Sequence, residues 1–183
     1  MKLRSALTIN GKKYAAGDEV SAWAIYPFFL LHMGIFGLSG FFMAYGADDV
    51  PLMFLYLHGG IAILVYLVFY FAIFGAEEVK WMFINAGLGL LGIYAEINYA
   101  LSWFGKTLSD YRVAVHITPF LYYILYTFLL RQAVLDATGS RDDQARRRKV
   151  EIAYVVLSVL AYGALYLLLR RQPTEVLHSI PAG

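Results

Sequence analysis

Pro51 to Gly75 reads PLMFLYLHGGIAILVYLVFYFAIFG, a run without one Asp, Glu, Lys or Arg. A helix rises ~1.5 Å per residue, so this stretch can cross the ~30 Å hydrocarbon core of a bilayer. A barrel strand would be about half as long and would alternate apolar with polar residues, as this run does not. Stretches 22–46, 81–105, 113–135 and 151–169 have the same apolar character. The predicted fold is all-α, an integral membrane bundle of five transmembrane helices within 22–171. All three tryptophans (Trp23, Trp81 and Trp103) fall at predicted span edges, where an interfacial aromatic belt belongs.

Composition points the same way. Hydrophobic residues make up 60% of the 183-residue chain and mean hydropathy is +0.60, whereas soluble domains hold ~45–50% apolar residues. There is no cysteine, which excludes disulfides, iron–sulfur clusters, thiolate zinc sites and covalently attached c-type haem. The first apolar run starts near Ala22 and is too long for a signal-peptide core, so it reads as a retained anchor. Residues 1–21 form a polar arm. Its Asn10-Gly11 pair is a preferred two-residue hairpin turn, and such a hairpin holds only if it packs on something. Residues 172–183 read as a short tail.

Lysine and arginine set the expected topology. With a cytoplasmic N-terminus, the inner segments hold Lys2, Arg4, Lys12, Lys13, Lys80, Arg131, Arg141, Arg146, Arg147, Arg148 and Lys149. The outer segments hold Lys106, Arg112, Arg170 and Arg171, and the first outer loop carries Asp48 and Asp49. Eleven against four predicts N-in and C-out, in a bacterial inner membrane. The Arg146–Lys149 cluster, lying beside a membrane helix, is expected to face anionic lipid rather than nucleic acid. The fourth helix should run past Arg131 and stop at Gly139, with Ser140 and Asp143 as capping candidates for the fifth. Glu77 and Glu78 read as solvated loop charges ahead of the third span. No internal repeat marks an inverted-repeat transporter.

Apart from Arg131 and Glu151 toward the inner ends, four ionisable residues remain inside the spans: His32, His58, Glu96 and His116. Charge at the bilayer centre costs at least ~2.5 kcal/mol, so such residues persist mainly where they face protein and serve a purpose. Asn85, Gly89, Gly92, Glu96 and Tyr99 share one helical face, whose small residues invite close helix approach. His116, Phe120, Tyr123 and Thr127 form a similar stripe, while the fifth span reads as peripheral. Counting residues puts His58, Glu96 and His116 roughly 5–13 Å from the outer ends of their spans, with His32 deeper at ~20 Å. His58, Glu96 and His116 are therefore candidate metal ligands, and His58 with His116 (His32 as substitute) candidate ligands of a b-type haem. The glycines at 34, 37, 59, 60, 89 and 92 would make room for the macrocycle. Glu96 is the candidate catalytic proton acceptor, because no basic residue lies at its depth.

The working expectation is a haem- or metal-binding redox or proton-transfer subunit of a membrane complex. Its rivals are a small oligomeric proton-coupled transporter or channel, and a non-catalytic accessory subunit. The expected partners are the lipid bilayer and other membrane subunits or further copies of the chain, with no nucleic acid. Phosphate-binding glycine loops, Gly-x-Ser-x-Gly and His-Glu-x-x-His are all missing, and no lysine within a span can carry a retinal Schiff base.

Overall fold

The computed structural model describes residues 1–9, 11–46 and 50–171; Asn10, Asp48, Asp49 and the 172–183 tail lie outside the described residues. The chain is mostly helical. A short hairpin, β1 (Leu7–Ile9) and β2 (Lys12–Tyr14), precedes α1 (Ala22–Tyr45), α2 (Leu52–Phe74), a one-turn α3 (Ala76–Val79) and α4 (Trp81–Ser102). Two 3-10 turns, Leu108–Asp110 and Val113–His116, lead into α5 (Ile117–Ala137), and α6 spans Gln144–Arg171.

Among the described residues, four helical stretches are long and apolar enough to cross a membrane: Ile25–Tyr45, Leu52–Phe74, Val113–Ala137 and Gln144–Arg170. The stretch expected as the third span forms α4, a helix of 22 residues that is not among these four. Asn85, Glu96 and Asn98 interrupt its apolar run. The fifth helix starts earlier than the apolar run at 151 implied. Asp143 accepts a hydrogen bond from the Arg146 backbone N–H at 3.0 Å and so caps the first turn, which lets the charged Arg146–Lys149 cluster join the helix. Ser140 does not cap. It is buried and completes the end of α5: Ser140 N–H reaches the Leu135 carbonyl at 2.9 Å and Gly139 N–H that of Asp136 at 3.1 Å. Gly139 stands at φ 60, the left-handed residue that this closing motif requires.

Helix α5 is the spine, packed against α1 and α2 on one side and α4 on the other. Leu125, Phe128, Leu129 and Leu135 are almost fully buried, and the Tyr70 hydroxyl of α2 donates to the Leu125 carbonyl at 3.2 Å. Helix α6 leans mainly on α4. The outward faces are strongly apolar, with Leu31, Ile35, Leu64, Val68, Leu90 and Leu160 all largely exposed, as suits a surface solvated by lipid.

The arm docks on one end of the bundle. Its strands pair Leu7 with Tyr14 and Ile9 with Lys12, Leu3 is buried, and the Arg4 and Ser5 backbone N–H groups both reach the Ala72 carbonyl at the end of α2. Gly75 makes this possible: at φ 85 it ends α2, and a Cβ there would lie 3.2 Å from the Arg4 side chain.

Candidate functional site

The four intramembrane residues do not gather into one layer. Among the described residues no three His, Asp or Glu side chains come together as a metal-holding group. Each of the four has a partner of its own. His116 Nδ1 lies 3.0 Å from the Tyr45 hydroxyl, in a corner that Tyr111 closes by donating to the Tyr45 carbonyl at 2.7 Å. Glu96 Oε1 accepts from the Tyr123 hydroxyl at 3.3 Å. His58 Nε2 lies 3.2 Å from Ser39 Oγ, and His32 Nδ1 lies 2.8 Å from the Phe28 carbonyl. Equal depth on different helices was not enough, because the helices turn these side chains to different sides of α5.

The grouping that does form joins His58 with His32, the residue that depth counting set apart. Both line a cavity of about 970 Å³ between α1 and α2, roofed by the hairpin. It runs along α2 from Ile73 to His58, roughly 22 Å of helix. The walls are apolar and aromatic, with Phe28, Phe29, Phe36, Tyr66 and Phe69 among them, while Thr8, Lys12, Glu19 and Ser21 stand at the hairpin end. His116 and Glu96 are not part of this lining.

Hydrogen-bond partners fix which ring nitrogens are free. The Phe28 carbonyl can only accept, so His32 carries its proton on Nδ1 and leaves Nε2 as an acceptor in the neutral ring. Ser39 spends its one hydroxyl proton on the Phe36 carbonyl at 2.9 Å. Its oxygen must then accept from His58 Nε2–H, which leaves His58 Nδ1 as the acceptor. Thus both rings along one apolar cavity keep an unpaired acceptor among the described residues. Seven residues of α1, about two turns, separate His32 from Ser39, the residue that holds His58.

Comparison with protein-family models, curated proteins and solved structures gives no match. The reading of the site therefore rests on its own geometry.

Two further features escaped the sequence reading. The first is a polar seam at α4, α5 and α6. Gly89 and Gly92 bring α4 against Phe120, Tyr123, Ile124 and Tyr162, and a Cβ at Gly92 would fall 2.2 Å from the Tyr123 hydroxyl. Helix α6 is largely exposed, yet it is not merely peripheral: Tyr162 bonds Tyr123, and the Tyr154 hydroxyl donates to the Thr127 carbonyl at 3.1 Å. The α4 stripe of glycines and polar residues predicted a close partner, but which helix supplied it depended on tertiary packing. Of the other glycines proposed to admit a macrocycle, Gly59 packs on Thr118, whereas Gly34, Gly37 and Gly60 face open space.

The second is an ion cluster at the arm's end of the bundle. Glu78 is not a solvated loop charge. It accepts from Arg131 at 3.2 Å, Gln132 at 3.1 Å and Arg147 at 2.7 Å, while Glu77 remains exposed beside Lys80. Glu151 bonds both Arg131 and Arg147, and Asp136 bonds Arg141 and Tyr26. The Arg131 guanidinium, 3% exposed, also lies 4.5 Å from the Trp81 ring centroid. Burial alone would raise the Glu78 carboxyl. The Gln132 and Arg147 hydrogen bonds and the Arg147 and Arg131 charges outweigh it and hold the group below its ordinary value.

Proposed function

We propose that this chain is a redox and proton-transfer subunit of a bacterial inner-membrane complex, and that its α1/α2 cavity binds a quinol-class amphiphile. In this reading α4 is a fifth crossing, with the N-terminal arm and basic end cytoplasmic and the C-terminus outside. At 22 residues, or about 33 Å, α4 has the required length, and Asn85, Gly89 and Gly92 of its polar face are buried against the neighbouring helices, with Gly89 on α5 and Gly92 on α5 and α6.

One observation carries the ligand class: two imidazoles, each with one ring nitrogen left without a partner among the described residues, on a single long apolar cavity. A ligand with a hydroxylated ring and an extended apolar tail meets both demands. The ring's two hydroxyls donate to His32 Nε2 and His58 Nδ1, and the tail lies against the aromatic wall. Imidazoles accepting from a quinol's hydroxyls are also suited to take its protons when it is oxidised. The electron acceptor then belongs to a partner subunit. A bis-imidazole haem would draw on the same pair, His32 and His58, rather than on His58 and His116.

The test is extraction of the purified full chain followed by mass spectrometry and an absorption spectrum. About one quinone per chain is expected, with much less retained by Ala62→Trp, which fills the cavity, and by His32→Ala with His58→Ala. A Soret band in place of quinone, or undiminished quinone in both variants, overturns the proposal.

A further inference from the structure

Glu96 lies on the far side of α5 from the cavity, whose lining comes wholly from the arm, α1 and α2. It is the sixteenth residue of α4, so about 9 Å of helix continues beyond it in the five-span reading. The side chain is exposed at the bundle surface, on a helix whose Leu90, Leu91 and Tyr94 are exposed as well. A carboxylate in hydrocarbon without a counterion is expensive, and among the described residues no Lys, Arg or His bonds this one.

What it has instead is a hydroxyl chain. Tyr123 of α5 donates to Glu96, and the Tyr123 and Tyr162 hydroxyls are bonded to each other. From α6 Tyr154 also faces this seam, and from α4 Asn85 does. Proton counting shows why the arrangement matters. With Glu96 ionised, Tyr162 donates to Tyr123 and Tyr123 to the carboxylate, so two protons fill two bonds. With Glu96 protonated, the carboxyl donates to Tyr123, Tyr123 donates to Tyr162, and both bonds stay filled. Turning two hydroxyls is the whole rearrangement. Asn85 is 4% exposed and its Nδ2 has no hydrogen-bond partner, leaving a donor on the same narrow gap as Tyr162.

We infer that Glu96, with Tyr123 and Tyr162, forms a membrane-embedded proton-exchange site, open to lipid-soluble reagents and independent of the α1/α2 cavity. The site takes up a proton as the hydroxyl chain points one way and releases it as the chain points the other. Gly92 is what lets the tyrosines reach it, since any side chain there would occupy the position of the Tyr123 hydroxyl.

A hydrophobic carbodiimide reads this directly. A protonated carboxyl adds across one C=N bond to give an O-acylisourea, which rearranges to an N-acylurea with no atom lost. The full chain in phosphatidylcholine liposomes is treated with dicyclohexylcarbodiimide across about pH 6 to pH 9 and mapped by peptide mass spectrometry. One adduct at Glu96 is expected, forming about tenfold or more faster at the acid end than at the alkaline end. Glu96→Gln abolishes it. Tyr123→Phe removes the bond that holds the ionised form, so the labelling midpoint moves to higher pH. Wild-type mapping that finds no Glu96 adduct at any pH, or a Tyr123→Phe profile identical to wild type, overturns the inference. Quinone retention is unaffected by any of these outcomes, so the two sites stand or fall separately.

Discussion

The charged end of the bundle and the α1/α2 cavity lie on opposite terms with their surroundings. At the charged end the inward-facing charges are matched: Arg131, Arg147 and Arg141 answer Glu78, Glu151 and Asp136, and Gln132 and Tyr26 add hydrogen bonds. In the cavity two imidazoles keep an acceptor unspent and the walls leave some 970 Å³ between them. The first pattern fixes α1, α3, α5 and α6 relative to one another. The second leaves recognition to be completed by something else. Stability and binding have been assigned to different helix pairs, which is why one can be altered without the other.

The largest test of that division is Arg131→Met. It leaves Glu78 and Glu151 short of the more buried of their two shared cations and should cost ~3–5 kcal/mol, read as a fall in melting temperature by circular dichroism in detergent. Ala62→Trp in the cavity should cost under ~1 kcal/mol, because overpacking penalties need a filled site. Equal losses would erase the distinction. Next comes Gly92→Leu, which drives a side chain into Tyr123 and Tyr162 and should cost at least ~1–3 kcal/mol, whereas Gly34→Leu, facing open space, should be near neutral in the same assay.

The smallest effect is on pH. The folded Glu78 carboxyl lies below its unfolded value of ~4.3, so its contribution is whole at neutral pH and disappears as pH falls through the folded value. Melting temperature should therefore drop on acidification below about pH 4. Glu78→Gln, already weaker at pH 7, should flatten that part of the curve. An unchanged acid limb in the variant would remove Glu78 as its cause.

What the sequence made legible was periodic or compositional. Apolar runs gave the long helices, Gly139 the end of α5, and the Gly89–Gly92–Glu96 spacing a close-packed face on α4. What stayed hidden depended on how helices rotate about their axes. His58 and His116 share a depth but face different neighbours, so depth alone joined the wrong pair. Glu78 looked like a loop charge because its three partners lie more than fifty residues away. The fifth helix looked peripheral because Tyr154 and Tyr162 are ordinary in an apolar run until Gly92 opens a place for them.

The docking of the arm has a consequence for how the protein is made. Its anchor, the Ala72 carbonyl bonded by Arg4 and Ser5, is synthesised only after α1 and almost all of α2. The arm, although it precedes α1 in the chain, thus finds its place only after α2 has been made. Until the second helix is inserted the hairpin has no floor, and the cavity lacks its α2 wall. A ligand of that cavity therefore finds a complete site only once both helices and the arm are in place.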